Sequence, residues 1–364
     1  MAVAIANTTQ KSVTAAVADL HRQLSMEEPK MVIYFASAHY DPHALSAAMH
    51  AAFPGIVVFG CTTAGEIVGH KMLKGTIAAM AFGKDIVEDV VVNIGTSSNL
   101  KSAFRSFESH YQISMLDADP EKYVGIVLCD GLSCAEESIM DKIGNLTDIT
   151  FIGGSAGDDL QFAGTYVFAS GEAYSDSAVL ALIKCGCCFD TIKTQSFTSL
   201  GKKLVATKVD EHRRIVYEFD GQPAVQAYAQ AIGQPVEKLP EYFMRHPFGL
   251  MAGGELYVRS PQQLKNDSIV FFCHIKEGMM LHVLQAEDII QETAHAIKEK
   301  EAELGTLKAL LNFNCILRTL HIEHEGLTEE YGLIFKDVPS IGFSTYGEAY
   351  IGHINQTATM LVFA

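Results

Sequence analysis

Two stretches far apart in the chain carry the same order of glycine, hydroxyl and carboxylate groups. Residues 57–67 read V-V-F-G-C-T-T-A-G-E-I and residues 341–349 read I-G-F-S-T-Y-G-E-A. Each has an apolar run holding a glycine (Gly60, Gly342), then small hydroxyl residues, then Gly65-Glu66 or Gly347-Glu348. This pattern predicts a buried strand that turns sharply, with glycine where φ is positive or the backbone must approach another group. The two glutamates have two uses. They can form a carboxylate pair facing a ligand, or each can accept bonds from local backbone N–H groups and close its turn, which is the commoner arrangement. Cys61 and Thr62 are grouped with Glu66, and Cys315 with Glu348, as candidate lining of one ligand pocket.

Other motifs offer narrower chemistry. Gly153-x-Ser155-x-Gly157 matches the nucleophile elbow of the α/β-hydrolases, but an elbow needs a helix directly after the serine, and residues 158–166 have no 3.6-residue apolar period. A tight structural turn is the better reading. No glycine turn is followed by Lys-Ser/Thr, and no G-x-G-x-x-G opens a helix, so nucleotide binding has no motif. Cys185, Cys187 and Cys188 could give thiolates to a soft metal, yet no second pair completes a site, which favours burial as small apolar residues. The run N-C-I-L-R is read as a strand end that brings Cys315 and Arg318 near the second signature, Arg318 serving as an anion clamp or a structural ion pair. Among fourteen histidines, His353 lies in the last turn before the closing strand, and His246 sits in Arg-His-Pro, where proline stiffens the loop. Either could supply an imidazole to an iron centre, though a loop histidine by itself is more often no ligand.

These groups need elements to hold them. Val13, Val17, Leu20 and Leu24 predict a helix after the cap candidates Thr8 and Thr9, and Asp41-Pro42 predicts the start of another. Runs at 31–36, 56–59, 76–82, 86–94, 124–128, 149–152, 178–189, 307–313 and 357–363 read as strands. The short link Gly83-Lys84-Asp85 predicts a hairpin between 76–82 and 86–94. Ser133 to Glu136 has capping-box spacing. Further helices are expected near 100–111, from Asp220-Gly-Gln-Pro-Ala to Gly233, and from Ile290 to Gly305. Helices alternating with hairpins predict an α+β (mixed α/β) protein of two related, packed lobes, each a mixed or antiparallel sheet layered with helices.

Composition sets the outer limits. A length of 364 residues allows about two domains. The formal charge of −16 repels phosphate backbones and anionic lipid, so neither nucleic acid nor a membrane is an expected partner. No signal-like N-terminus and no apolar run of spanning length are seen, and the scattered cysteines suit a reducing compartment. A cytoplasmic location is expected.

Six motifs in order, G-C-T-T-A-G-E-I, D-G-L-S with G-G-S-A-G-D-D, D-G-Q-P-A, F-N-C-I-L-R, G-F-S-T-Y-G-E and N-Q-T, resemble the FIST family over nearly the whole chain. The resemblance implies a FIST N-like lobe over residues 1–200 and a FIST C-like lobe over 201–364. R-H-P-F-G-L, Y-V-R-S-P and Y-G-E…H-I-N-Q-T are most similar to the stand-alone bacterial nitric-oxide-sensing haemoproteins of that family. What this implies is a sensor rather than an enzyme, with haem b in a pocket and nitric oxide bound at iron. Its output would be read in trans by a histidine kinase of a two-component system or by a cyclic-di-GMP enzyme. On this reading His353, ahead of His246, ligates the haem iron, and Arg318, Arg259 and Tyr346 contact propionates or the pocket rim. No C-x-x-C-H is present for covalent attachment. The wider family implies the alternative, a sensor of a small organic ligand such as an amino acid, without haem. A serine hydrolase using Ser155 is the third reading, and homo-oligomers fit any of them.

Overall fold

The computed structural model describes residues 2–350 and 352–364; the side chain of His353 lies outside what is described. The chain is α+β, as the sequence predicts. It folds as two compact units: Met1–Thr194, Ala294–His353 and Ala358–Ala364 form the larger, Gln195–Thr293 and Ile354–Thr357 the smaller.

The larger unit passes three times through one plan. Strands Pro29–Ser37 and Val57–Thr63 lie parallel around helix Pro42–Ala52, and Ile77–Gly83 returns antiparallel to the first of them. The same order recurs in Tyr123–Cys129, helix Glu136–Gly144, Phe151–Ser155 and Ala178–Cys185. It recurs again in Ala309–Cys315, helix Ile316–His324, Ser340–Thr345 and Thr357–Phe363. A leading strand flanks each returning one: Val3–Thr8, Val87–Gly95 and Phe189–Gln195. In the third pass, the segment Gln195–Thr293 of the smaller unit follows the leading strand and runs into the first turn of helix Ile289–Leu304.

A short strand after each sharp turn crosses into another repeat, and the exchange closes on itself. Glu66–Val68 pairs with Ser340–Thr345, Glu348–Tyr350 with Phe151–Ser155, and Val167–Ala169 with Val57–Thr63. Each six-stranded sheet is therefore completed by a neighbour. The three sheets share one apolar core, in which the Phe35 ring lies 4.6 Å from Phe343 and 6.2 Å from Phe313. Each fully buried phenylalanine of this kind stabilises the fold by about 2–3 kcal/mol relative to exposure. Both glycine-glutamate turns fall within this unit.

The smaller unit is an antiparallel sheet. Its strands run in the order Glu255–Arg259, Phe248–Ala252, Met280–Ala286, Phe197–Asp210, Ile215–Phe219, Ser268–Phe271 and Pro261–Lys265. Helix Ala224–Ile232 lays Tyr228 against Phe248 at a ring distance of 4.9 Å, with Phe219 and Phe271 in the same cluster.

Several local expectations need correction. Thr8 ends the leading strand, and Ser12 caps the first helix by accepting the Ala15 N–H. Ile77–Gly83 and Val87–Gly95 form no hairpin: they join different sheets, because the first is taken by Val3–Thr8 and Pro29–Ser37. Ser133 does not cap its helix with its side chain; its hydroxyl donates to the Asp130 carbonyl, and the helix begins after Ala135. Arg318 is not at a strand end. The strand stops at Cys315, and Arg318 lies in the helix Ile316–His324. Asp41, by contrast, caps its helix through the Ala44 N–H at 2.8 Å.

Candidate functional site

Open α/β sheets bind ligands beyond the carboxyl ends of their parallel strands. In the larger unit the sharp turns at those ends meet through the exchanged strands. The Ser344 N–H donates to the Gly65 carbonyl (2.8 Å), the Ser155 N–H to the Gly347 carbonyl (2.8 Å) and the Gly157 N–H to the Thr62 carbonyl (3.0 Å). Cys61, Thr62, Glu66, Tyr346 and Glu348 are thereby brought to one region, with Cys315 at the adjoining strand end and Arg318 in the helix that follows it.

The carboxylates there close turns. Glu66 accepts the Thr63 hydroxyl, the Thr76 N–H (3.0 Å) and the Thr76 hydroxyl (2.6 Å). Glu348 accepts the Thr345 hydroxyl at 2.7 Å. Both glutamates are buried. Burial raises the Glu66 carboxyl to about 7, against the lowering effect of its Thr63 and Thr76 donors. A carboxyl poised there can hold or release a proton near neutral pH.

A third turn, expected as a tight turn but with its Asp158 not among the site candidates drawn from sequence, completes the set. Burial pushes the Asp158 carboxyl up, but the Tyr346 hydroxyl and the N–H groups of Gly164, Ala163 and Phe162 together hold it below the usual range. Tyr346 also receives the Leu160 N–H at 2.9 Å and stacks on Phe162. Next to it, Ser37 donates to Asp159 (2.7 Å), and His39 Nδ1 lies 3.0 Å from the Ser37 oxygen. The Ser37 proton is directed at the carboxylate, so His39 donates to the hydroxyl rather than drawing a proton from it. Burial and the Lys11 charge lower the His39 pKa. The G-G-S-A-G-D-D run signalled this turn, since it too ends in glycine and an acid; nothing in the sequence around Ser37 and His39 did.

Burial pushes the thiols of Cys61 and Cys129 well up, which makes both core residues rather than nucleophiles. Burial likewise raises Cys185 and Cys187. Among the described residues no group of three or more His, Cys, Asp and Glu side chains is gathered as a metal site. Ser155 is buried, donates to Glu136 at 3.3 Å, and is followed by irregular chain rather than a helix. Arg318 donates from Nε to Asn314 Oδ1 at 3.1 Å.

His246 and Arg259 lie elsewhere, in the smaller unit. Phe248, two residues after His246, pairs directly with Arg259. His246 Nδ1 is 3.0 Å from the Leu284 carbonyl oxygen and its ring stacks on Tyr242. A carbonyl only accepts, so Nδ1 carries the proton and Nε2 keeps a lone pair. Arg259 Nε is buried with no hydrogen-bond partner among the described residues. Gln356 binds the segments carrying both, accepting the Ser260 hydroxyl (2.8 Å) and donating to the Met244 carbonyl (3.1 Å). His353 precedes Gln356 by three residues in the chain.

Three exchanged repeats with buried acid turns at the strand ends, joined to an antiparallel unit, suit a ligand-responsive scaffold better than an exposed nucleophile. A FIST N domain matches residues 30–222 and a FIST C domain matches residues 224–350. The chain belongs to the FIST family. FIST domains are signal-transduction sensor domains. The chain is also similar to an uncharacterized protein of Methanocaldococcus jannaschii, 26% identical over 273 residues. That match spans 68% of this chain and about half, 52%, of the relative. Among the described residues no helix is long and apolar enough to cross a membrane.

Proposed function

We propose that this FIST protein is a cytoplasmic sensor that holds haem b and responds to nitric oxide, with His246 as the iron ligand. The observation that carries the reading is the His246 imidazole: its Nδ1 is held by the Leu284 carbonyl, the arrangement that fixes tautomer and ring angle in metal-binding histidines. The residues present fit the group in two further respects. Arg259 offers a buried guanidinium Nε without a partner among the described residues, suited to a propionate, and Gln356 fixes the two segments from which His246 and Arg259 project. His353, first choice on sequence, has no described side chain to compare.

When bound, haem supplies an iron centre that takes a diatomic ligand. The protein's share is to present Nε2, to orient the ring through Leu284 and Tyr242, and to match the propionate charge. Nitric oxide then shifts the protein only by the difference in its affinity for two conformations, about 1.4 kcal/mol for each factor of ten. A histidine kinase or cyclic-di-GMP enzyme reads that shift in trans. Protein purified after haem supplementation should show a Soret band that moves on adding nitric oxide and is lost in His246→Ala. A colourless wild type, or a His246→Ala protein with an unchanged band, overturns the assignment; loss in His353→Ala alone transfers it to that residue.

A second reading, a sensor of a small organic ligand such as an amino acid, is favoured by one cavity in the smaller unit. It measures about 220 Å³ and is lined by Lys202, Lys203 and Asp220 beside Leu204 and Phe219, so it offers both signs of charge next to apolar wall.

A further inference from the structure

The three repeats can be superposed in register by one contact. Gly60, Gly153 and Gly342 each lie against the carbonyl of the residue opposite them, Tyr34, Val127 and Asn312; a Cβ on any of the three would fall about 2 Å from that oxygen, at 1.9, 1.9 and 2.1 Å. The residues on the helix-covered face of each sheet are therefore comparable one by one. In the first repeat they are Tyr34, Ala36 and Val58, and in the second Val127, Cys129 and Phe151. In the third the same places hold Asn312, Asn314 and Ser340.

All three of these polar residues are fully buried. Asn314 is answered: it accepts Tyr331 (3.0 Å) and Arg318 (3.1 Å) and donates to Thr319 (2.9 Å), whose hydroxyl meets that of Ser344 at 2.7 Å. Asn312 donates to Tyr331 at 3.3 Å, but among the described residues its Oδ1 has no partner, and neither does the Ser340 hydroxyl. Leu310 pairs with Ser340 and Asn312 with Gly342, which sets Asn312 and Ser340 diagonally on one face of adjacent strands. A fold that builds the same face from apolar residues twice has no packing need for two unanswered polar atoms here. Buried polar groups left open are costly and mark sites where an incoming group completes the bonding.

We propose that Asn312 Oδ1 and Ser340 Oγ, on the helix-covered face of the third repeat, are the anchor points for a small neutral molecule bearing an N–H donor, of the primary-amide or urea class. The open atom of Asn312 is an acceptor, so the guest must donate; the serine hydroxyl can accept the second hydrogen or donate to the guest's carbonyl. A charged ammonium is disfavoured, because it would be buried in the same network as the Arg318 guanidinium. This site lies in the other unit from His246 and does not rest on the haem reading.

Acetamide is the probe, followed through the side-chain amide signals of Asn312 and Asn314 in isotope-labelled full-length protein. A saturable shift is expected, weakened at least tenfold by Ser340→Ala and abolished at Asn314 by Asn312→Leu. No saturable shift, or equal affinity in both variants, overturns the proposal, and would leave solvent as the only occupant. Melting of the unliganded proteins gives the second readout. If the open atoms serve binding, Ser340→Ala, which removes a hydroxyl without a partner among the described residues, melts at or above the wild-type temperature; if it melts lower, the hydroxyl serves the fold and the proposal fails.

Discussion

The first and third repeats of the larger unit have the same skeleton and opposite interiors. Both run a parallel pair of strands into a threonine, a glycine and a glutamate, and both send that glutamate's strand into another repeat. Thr63 answers Glu66 as Thr345 answers Glu348. Beneath the helices, however, the first repeat packs Val32, Tyr34, Ala36 and Val58 into an apolar layer, whereas the third packs amides, hydroxyls and a buried arginine. Backbone geometry is thus set by the turn and the close glycine contact, and side chains on one face were free to diverge. The difference separates what the fold requires from what a single repeat has been given to do.

The largest effect should come from the shared feature. Gly60→Ala and Gly342→Ala both drive a methyl into a strand carbonyl, and each should cost about 3 kcal/mol or more in urea unfolding, or prevent soluble folding. A mild Gly342→Ala beside a severe Gly60→Ala would show the third repeat to be looser and would break the equivalence.

A smaller effect is tied to the turn of the first repeat. The Glu66 carboxyl is raised by burial from 4.5 to about 7 in the folded protein, so the fold prefers its protonated form. Between about pH 4.5 and 7 the native state binds more protons than the unfolded one, and stability falls as pH rises through that window, then levels. The ceiling is roughly 3 kcal/mol, from 1.36 kcal/mol per unit. Glu66→Gln should flatten this slope in melting curves taken across the window; an unchanged slope would assign it to another group.

The fold was legible where local chemistry decides it. Asp41-Pro42 marked a helix start, Gly233 a helix end, and two of the three turns announced themselves by Gly-Glu. The third was read as a turn but not as their equivalent, because Asp158 replaces glutamate and the chain wanders through 159–166 before its short strand, so a threefold plan read as a twofold repeat. Strand exchange was out of reach, since it pairs residues 66–68 with 341–343 and no local pattern encodes a partner so distant. For the same reason Gly83-Lys84-Asp85 looked like a hairpin. Helix Ile316–His324 was hidden because N-C-I-L-R continues an apolar strand without a breaker. Of the candidate site, the turn residues were visible, but the open atoms of Asn312 and Ser340 were not: an asparagine and a serine in a strand look the same whether or not a partner meets them.

The finest test sets one tyrosine against another. Tyr34 and Tyr331 are both fully buried beneath helices, one in each of the contrasted repeats. The Tyr34 ring stacks on Phe168 at 5.3 Å, and its hydroxyl has no hydrogen-bond partner among the described residues, the nearby Ser46 hydroxyl donating to the Glu172 carbonyl instead. Tyr331 donates to Asn314 and accepts from Asn312, tying together the two amides that the first repeat lacks. Removing a hydroxyl that bonds to nothing relieves a buried polar group, so Tyr34→Phe should leave stability within about 0.5 kcal/mol of wild type or raise it. Tyr331→Phe leaves the Asn312 amide without its acceptor and takes from Asn314 Oδ1 the hydroxyl donor it has beside Arg318, and should cost about 1–3 kcal/mol by the same unfolding measurement. Equal losses in the two variants would mean that the polar face of the third repeat adds nothing to its packing beyond what an apolar layer gives, and the contrast between the repeats would then lie in ligand binding alone.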